Sequence, residues 1–379
     1  MVHSSSVFSD SKKHFLILDA LRGVASIMVV MFHIMEVFSG GDHTKQIINH
    51  GYLAVDFFFM LSGYVMAHAY DDRWGRMTVK DFFKRRLVRL HPMILMGMTI
   101  GAIWFYFGES SLFPKIADTP VWLLSLILLL GWFLIPIPVS MDPRGWDETY
   151  PLNGPGWSLF FEYIANVLHA LVIRRMSKFI LGICVFIAAL ALVHLAVMSP
   201  DGDVIGGWSL TSEQLQIGFT RLLFPYMAGM LLRRTIKVME VKKMKTFLFC
   251  SFLLIAALSF PRIGGHANPW MNGIYESAVI ILLFPAIVYL GAVGEVTHPT
   301  AQKVYTFLGD ISYPLYIIHY PFVYIFMGWV TDHHIPVSKG IFVGAGVLFF
   351  AMGVAYAALK LYDEPVRKWL ARKYIAVKK

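Results

Sequence analysis

Three ionisable residues lie inside an apolar stretch near the N-terminus of this 379-residue chain. The stretch LDALRGVASIMVVMFH covers residues 18–33 and holds Asp19, Arg22 and His33. Charged side chains are costly in hydrocarbon, so at membrane depth they face a bundle interior or a wet cavity and mark a functional site. On a helix, Arg22 and His33 would lie about 20° from eclipsed and about 16 Å apart along the axis. The spacing predicts one helix face that presents a fixed cation and a titratable imidazole at two depths.

Asp56 is the first polar side chain of a second apolar stretch, VDFFFMLSGYVMA. Asp56 and His33 are both predicted near the outer membrane face. A carboxylate beside an imidazole fixes its tautomer and stabilises its charged form, which makes the histidine an effective general base. An aspartate in a first helical turn is also favoured by the helix dipole alone. The sequence leaves open whether Asp56 orients His33 or only begins its helix.

Two arginines stand close together in the basic stretch DFFKRRLVRLHP. Arg86 and Arg89 are three residues apart, so on a helix they point the same way, and Pro92 is predicted to start the next membrane span. Paired guanidiniums make a good clamp for phosphates. A basic loop also arises from topology alone and contacts anionic lipid. Both interpretations stay open. The sequence has no glycine-rich phosphate loop, so any nucleotide would be held by side chains.

Two later stretches hold further polar side chains at membrane depth. In NGPGWSLFFEYIANVLHAL, Trp157 is predicted to be an interfacial anchor, and Glu162 needs Arg22 or another cation as its partner. In GDISYPLYIIHYPF, His319 lies deep in a helix that prolines are predicted to break. A hydrogen-bonded core histidine is the favoured interpretation of His319. Trp157, Glu162 and His319 are nevertheless candidate substrate contacts. The remaining histidines lack metal-ligand spacing, so no metal is expected.

The composition is that of a membrane protein. Hydrophobic residues make up 57% of the chain and charged residues only 15%, where a soluble domain would be close to 25% charged. The formal net charge of +9 could suggest a nucleic-acid partner. However, the basic residues cluster in short loops between apolar stretches, as the positive-inside rule requires. The sequence therefore predicts contact with membrane lipids and no nucleic acid.

Eleven apolar segments are long enough to be considered as membrane spans. Three of them lie between two basic stretches that are both predicted to be cytoplasmic, so one of the three does not cross. Residues 120–138 are the best candidate, because Gly131 interrupts them and Pro136 and Pro138 end the helix. The segments are residues 14–37, 51–70, 91–108, 120–138, 154–173, 179–198, 216–232, 246–260, 272–293, 305–327 and 338–361.

We therefore expect an all-α, polytopic transmembrane bundle of about ten spans with one re-entrant or surface helix. Residues 1–379 form a single domain in this interpretation. The tail 1–13 and the basic tail 365–379 are both expected in the cytoplasm, with the chain in a bacterial inner membrane. We find no internal repeat, which disfavours transporter folds built from duplicated halves.

Six short motifs, in this order, resemble the acyltransferase-3 family of bacterial membrane acyltransferases. They are the Arg22–His33 pair, VDFFFMLSGY, RRLVRLHP, WSLFFE, SYPLYIIHYP and the terminal DEP. The resemblance runs from about Leu16 to Trp369. It implies a ten-span domain that uses acyl-CoA, usually acetyl-CoA, to acylate polysaccharides and other envelope glycans.

The resemblance also implies roles for residues. It carries functional positions over to Arg22, His33 and Asp56, and an arginine pair to Arg86 and Arg89. The sequence departs from the family at one position. The family usually has two acidic residues after the tryptophan-serine motif, whereas this chain has Phe161 and Glu162, which weakens the assignment of a functional role to Glu162. We expect acyl-CoA to place its phosphates near the arginine pair and to extend past Arg22 toward His33, the general base for a glycan hydroxyl.

Two other classes of function stay open. A proton-coupled transporter or flippase of a lipid-linked sugar would use Asp19, Arg22, His33 and Glu162 as a relay. An accessory subunit of a polysaccharide-export complex would need no catalysis. Binding of CoA discriminates the enzyme from the transporter, and silent substitutions at Arg22 and His33 would indicate the accessory subunit.

Overall fold

The structure is a computed structural model that describes residues 14–236, 245–296 and 298–375. The predicted tail 1–13 and the last four residues of the basic tail lie outside this description. Within those ranges the secondary structure is helical and contains no strand, which confirms the all-α prediction. The helices are α1 Leu16–Glu36, α2 Ala54–Tyr70, α3 Val79–Ile103, α4 Val121–Trp132, α5 Gly156–Leu171, α6 Lys178–Met198, α7 Ser212–Thr235, α8 Thr246–Ser259, α9 Trp270–Ala278, α10 Phe284–Val293, α11 Pro299–Ile318, α12 Tyr320–Asp332, α13 Val337–Ala358 and α14 Glu364–Tyr374.

Many of these helices can cross a bilayer. Among the described residues, seven helical stretches are long and apolar enough by length and composition, so the chain is polytopic. The helix α4 has only 12 residues and is about 18 Å long, which is less than the hydrocarbon thickness. Its length agrees with a non-crossing element, and the total of ten spans stays a prediction. The seven stretches are Leu16–Ser39, Gly51–Tyr70, Gly156–Arg175, Lys178–Met198, Ser212–Thr235, Trp270–Val293 and Val337–Tyr374.

Two prolines lie inside helices rather than at their boundaries. Pro92 does not begin a helix, because α3 already begins at Val79, where Thr78 and Asp81 form a capping box. The arginine pair therefore lies within α3 rather than in a loop before it. Pro314 does not break its helix either. It lies inside α11, which ends at Ile318. The break falls at His319, and the second proline predicted to break the helix, Pro321, lies in the first turn of α12.

The helices α1 and α11 run parallel and in close contact. The backbone of Leu308 leaves no room for a side chain at Gly23, and Asp19 likewise crowds Gly309. Ser26 donates its hydroxyl to the carbonyl of Ser312 at 2.9 Å. Small residues that let two helices approach in this way are the usual basis of packing inside membranes. Polar groups on α1 therefore meet polar groups on α11.

The last long helix changes geometry near its end. Between α13 and α14 the residues Leu359–Asp363 form a π-helical turn just before Pro365. A proline lacks an amide hydrogen and clashes with the carbonyl four residues earlier, so a wider turn accommodates it. The turn leads into α14, whose first residues reach the interior of the bundle.

Candidate active site

A cavity of about 610 Å³ lies among α1, α2, α3, α5, α11 and the α13–α14 junction. We call it the central cavity. One wall is apolar and comes from α2, whose residues Val55, Phe58, Phe59 and Val65 recur at helical spacing. The other walls carry charged groups. The charged side chains and histidine that line it are His14, Asp19, Arg22, Arg86, Arg89, Glu162, Asp310, Asp363, Glu364 and Arg367.

Arg22 enters the central cavity from α1 and is held by α11. Its Nε donates to the Ser312 hydroxyl at 2.7 Å, and Nη2 donates to the carbonyl of Gly309 at 3.3 Å. Asp19, one turn earlier, lies 3.3 Å from the same Nη2. The guanidinium is therefore fixed in position with part of its surface facing the cavity.

Arg86 and Arg89 face the same cavity from α3, as their spacing predicts, but their environments differ. Arg86 donates to Glu162 at 2.8 Å and to the side-chain oxygen of Asn166 at 3.1 Å. Glu162 also accepts a hydrogen bond from Ser62 at 2.7 Å. The cationic partner expected for Glu162 is thus Arg86. Arg89 has no hydrogen-bond or ion-pair partner in the described part of the chain.

His33 lies beyond the cavity, near the C-terminal end of α1. Its Nδ1 is 3.0 Å from the carboxylate of Glu36, three residues later on the same helix. Its ring packs edge-on against Tyr320 at 4.6 Å and stacks on His319 at 5.8 Å. We call these four residues the His33 cluster. Arg22 contacts α11, and His33 contacts His319 and Tyr320 just beyond the C-terminal end of α11, which agrees with the shared helix face inferred from their spacing.

Of the two interpretations left open for Asp56, the structure does not support the one in which it orients His33. Both carboxylate oxygens of Asp56 accept hydrogen bonds from Arg221 of α7, the shorter at 2.7 Å, and the pair is completely buried. A buried carboxylate takes the nearest strong donor, and α7 packs directly against α2. The group that contacts His33 is Glu36. An i, i+3 pair on one helix was the available signal, and the sequence analysis missed it.

Two other candidate residues lie outside the cavity lining. Trp157 is 9% exposed and lies under the Arg221 guanidinium at 5.2 Å, so it is not an interfacial anchor. His319 is fully buried, and its Nδ1 hydrogen-bonds to the carbonyl of Leu315 at 3.0 Å. Nε2 of His319 has no partner among the residues described. Neighbours of both residues, Ser158 and Tyr316, do line the cavity.

A thin layer of side chains separates the central cavity from the His33 cluster. Ser26, at the deep end of the cavity, precedes His33 by seven residues, which is about 10 Å along α1. Tyr316 occupies this level. Its hydroxyl hydrogen-bonds to Ser158 at 2.6 Å, and its ring meets Phe58 edge-on at 5.3 Å. Tyr316 also lies 6.2 Å from His319, so it contacts both compartments.

On its other side, the His33 cluster adjoins a second buried polar group. Tyr320 packs edge-on against Tyr324 at 4.5 Å, and Tyr324 donates its hydroxyl to Glu148 at 2.5 Å. Burial, reinforced by the charge of nearby Asp142, raises the pKa of Glu148 to about 8. Arg144 lies 3.6 Å above the Tyr324 ring. Asp142, Arg144 and Glu148 come from the loop between α4 and α5, which the sequence analysis did not select, and Tyr324 comes from α12.

These features define a polytopic helical protein with a highly charged, arginine-containing cavity and a separate histidine–carboxylate pair. The profile of the acyltransferase domain family matches residues 15–360, so the chain belongs to this acyltransferase-3 family. This confirms the resemblance inferred from the six motifs.

The chain is also similar to several curated proteins. It is 34% identical over 165 residues to protein 2 in the picA locus of Rhizobium radiobacter, covering 42% of this chain and 82% of that protein. It is 25% identical to a putative O-acetyltransferase of Staphylococcus aureus strain COL, covering 84% of this chain and 52% of that one. With the O-acetyltransferase OatA of Staphylococcus aureus the identity is 22%, over 93% of this chain and 57% of OatA. The chain thus spans about half the length of the staphylococcal relatives. No solved structure matches it.

Proposed function

We propose that this protein is a membrane O-acetyltransferase that moves an acetyl group from acetyl-CoA to a hydroxyl of an envelope or exported glycan. The proposal rests on one observation. A cavity with four arginines, one of them unpartnered within the described ranges, leads toward an imidazole that is paired with a carboxylate. Family membership and the relatives named as O-acetyltransferases support the reaction class.

The four arginines of the central cavity suit a phosphorylated donor. CoA carries a pyrophosphate and a 3′-phosphate, and guanidiniums bind such groups through charge-assisted hydrogen bonds. Arg89 is available for this role, whereas Arg86 is held by Glu162 and so positions the site. Arg22 lies deeper and would guide the pantetheine arm. The cavity volume of about 610 Å³ is within the range of ligand sites.

His33 has the surroundings of a general base. When Nδ1 donates to the Glu36 carboxylate, Nε2 keeps its lone pair and can accept a proton. In the reaction, Nε2 takes the proton of the acceptor hydroxyl while the hydroxyl oxygen attacks the thioester carbonyl. The C–O bond forms, the C–S bond breaks, and the CoA thiolate takes up the proton from the imidazolium. Transient acylation of His33 is a second route with the same balance.

The donor must cross the layer at Tyr316. In the structure Tyr316 is hydrogen-bonded to Ser158 and closes the deep end of the cavity. We propose that rotation of this side chain lets the thioester reach His33. Trp157 and His319 then act as positioning residues, Trp157 by packing on Arg221 and His319 by stacking on His33. Glu162 positions Arg86 beside the donor.

The arrangement also fits a topology in which the arginines open to the cytoplasm and the His33 cluster faces outward. In this proposal both termini lie in the cytoplasm of a bacterium, which the positive-inside rule and the basic loops support. A cytoplasmic donor and an external acceptor would then approach the same imidazole from opposite sides.

The test compares the wild type, H33A and H194A in a strain that lacks other acyltransferases. His194 is a histidine on α6 that does not line the central cavity, so H194A is the matched control. We expect H33A alone to abolish acetylation of envelope glycans, with CoA still raising the melting temperature of the purified protein. Acetylation that persists in H33A would refute the role of His33. A wild type that CoA does not stabilise would refute the acyl-CoA enzyme and favour a transporter.

A further inference from the structure

The central cavity is lined partly by residues that follow the region matched by the family profile, including Asp363 and Glu364 of the DEP motif. The family match ends at residue 360, yet Asp363, Glu364 and Arg367 line the cavity at the same end as Arg89. The C-terminal helix α14 therefore contributes to the wall of the central cavity. No family motif assigns a role to Arg367.

The π-helical turn explains how α14 reaches the cavity. The turn at Leu359–Asp363 places Asp363 inside the bundle, where it is 2% exposed. Asp363 lies 2.9 Å from Nε of Arg367, one turn later. The ion pair holds the Arg367 guanidinium against the cavity while part of its surface remains exposed.

The charges around Arg89 indicate that an anionic ligand would stabilise the site. Arg22, Arg86 and Arg367 all lie close enough to repel Arg89 electrostatically. Five carboxylates also line the cavity, and three of them are ion-paired, Asp19 with Arg22, Asp363 with Arg367 and Glu162 with Arg86. Glu364 is bonded to Lys360. Unscreened like charges cost free energy in a partly buried site, and a polyanion between Arg89 and Arg367 would remove that cost.

We infer that Arg367 is a donor-specificity residue, which together with Arg89 binds a phosphate group of the acyl-CoA. This inference rests on the proposed function, because it names a further contact of the same donor. Arg367 would distinguish phosphorylated donors from pantetheine thioesters, which lack all of these phosphates. Asp363 keeps its guanidinium in position when the site is empty.

The experiment measures binding of CoA, dephospho-CoA and pantetheine to the full-length protein in neutral detergent. The variants are R367Q, R367K and R372Q. Arg372 is an exposed arginine on the same helix that does not line the cavity, so R372Q loses the same charge without touching the site.

For R367Q we expect CoA affinity to fall about tenfold to a hundredfold, the range for a lost charge-assisted hydrogen bond. Pantetheine affinity should stay unchanged, R372Q should match the wild type, and R367K should recover part of the loss. Loss of CoA affinity with dephospho-CoA unaffected would assign the contact to the 3′-phosphate. An equal loss for both nucleotides would assign it to the pyrophosphate.

The inference would be overturned if R367Q weakened CoA and pantetheine equally, or no more than R372Q. It would also be overturned if R367Q affected only the binding of anionic lipid, measured in nanodiscs with and without phosphatidylglycerol. Failure of the proposed function looks different, because the wild type would then bind none of the three compounds. The melting temperature of each variant without ligand shows whether that variant is folded. If R367Q does not fold, the comparison of R367K with the wild type still tests the inference.

Discussion

Replacing Glu36 by glutamine should slow acetyl transfer without weakening donor binding. The Glu36 carboxylate lies 3.0 Å from Nδ1 of His33, and the two side chains are 28% and 19% exposed. In the proposed mechanism His33 becomes an imidazolium in the transition state, and the carboxylate stabilises that charge. Glutamine keeps the size and can still accept a hydrogen bond, so the change removes the charge and little else.

The expected magnitude follows from the exposure of the pair. Two unit charges 4 Å apart interact by about 1 kcal/mol in water and about 4 kcal/mol at an effective dielectric constant of 20. Because both side chains are about a quarter exposed or less, we take a value near ~2 kcal/mol. That corresponds to a loss of about 30-fold in kcat. Removing the base itself in H33A should cost about 10²- to 10⁴-fold.

The assay is transfer of radiolabelled acetyl from acetyl-CoA to envelope glycan in membrane vesicles, with KM for acetyl-CoA measured in parallel. A double-mutant cycle makes the test specific, since two residues that act through one group are not additive. The double variant E36Q/H33A should be no slower than H33A alone. Additive losses, or a wild-type rate in E36Q, would show that Glu36 does not act through His33.

Two further predictions concern residues whose partners the structure identifies. Replacing Asp56 by alanine leaves Arg221 buried without its ion pair, so the free energy of unfolding should fall by about 3–5 kcal/mol, seen as a lower melting temperature in detergent. The control D56L/R221M removes both charges and should recover much of that loss; a stable D56A would contradict the assignment. In Y316F the hydrogen bond to Ser158 is lost, which weakens the closed state by about 1 kcal/mol and should raise acetyl-CoA hydrolysis without acceptor about fivefold. Tyr313 also lines the cavity and donates to the carbonyl of Leu90, so an equal rise in Y313F would argue against a specific role for Tyr316.

The sequence predicted features that depend on spacing within one helix. The shared face of Arg22 and His33 and the common direction of Arg86 and Arg89 follow from the helical repeat, and the structure shows both. The need of Glu162 for a cation was also readable, because a membrane-buried carboxylate must be paired. Its partner was not, since several arginines satisfied the same rule.

Contacts between distant helices could not be predicted in this way. Asp56 and Arg221 are 165 residues apart, and only the packing of α2 against α7 brings them together. Lys and Arg residues interrupt the apolar pattern in the first half of α3, so the membrane span was predicted to start only at Pro92. The capping-box residues Thr78 and Asp81 could have indicated the start of the helix in the sequence. Prolines were expected to break helices, yet Pro314 lies inside α11. Neighbouring helices can satisfy the backbone groups that a proline releases in a membrane.

The closed layer at Tyr316 bears directly on how one imidazole could serve two substrates. If the central cavity opened continuously onto the His33 cluster, water could reach the thioester whenever the donor was bound, and hydrolysis would compete with transfer. A side chain held by a single hydrogen bond keeps the compartments apart at a cost of about 1 kcal/mol to open. In the proposed mechanism, binding energy from the CoA phosphates at Arg89 and Arg367 would exceed that cost. Opening would then depend on the donor rather than on the acceptor, and phosphate contacts at one end of the bundle would affect the chemistry at the other.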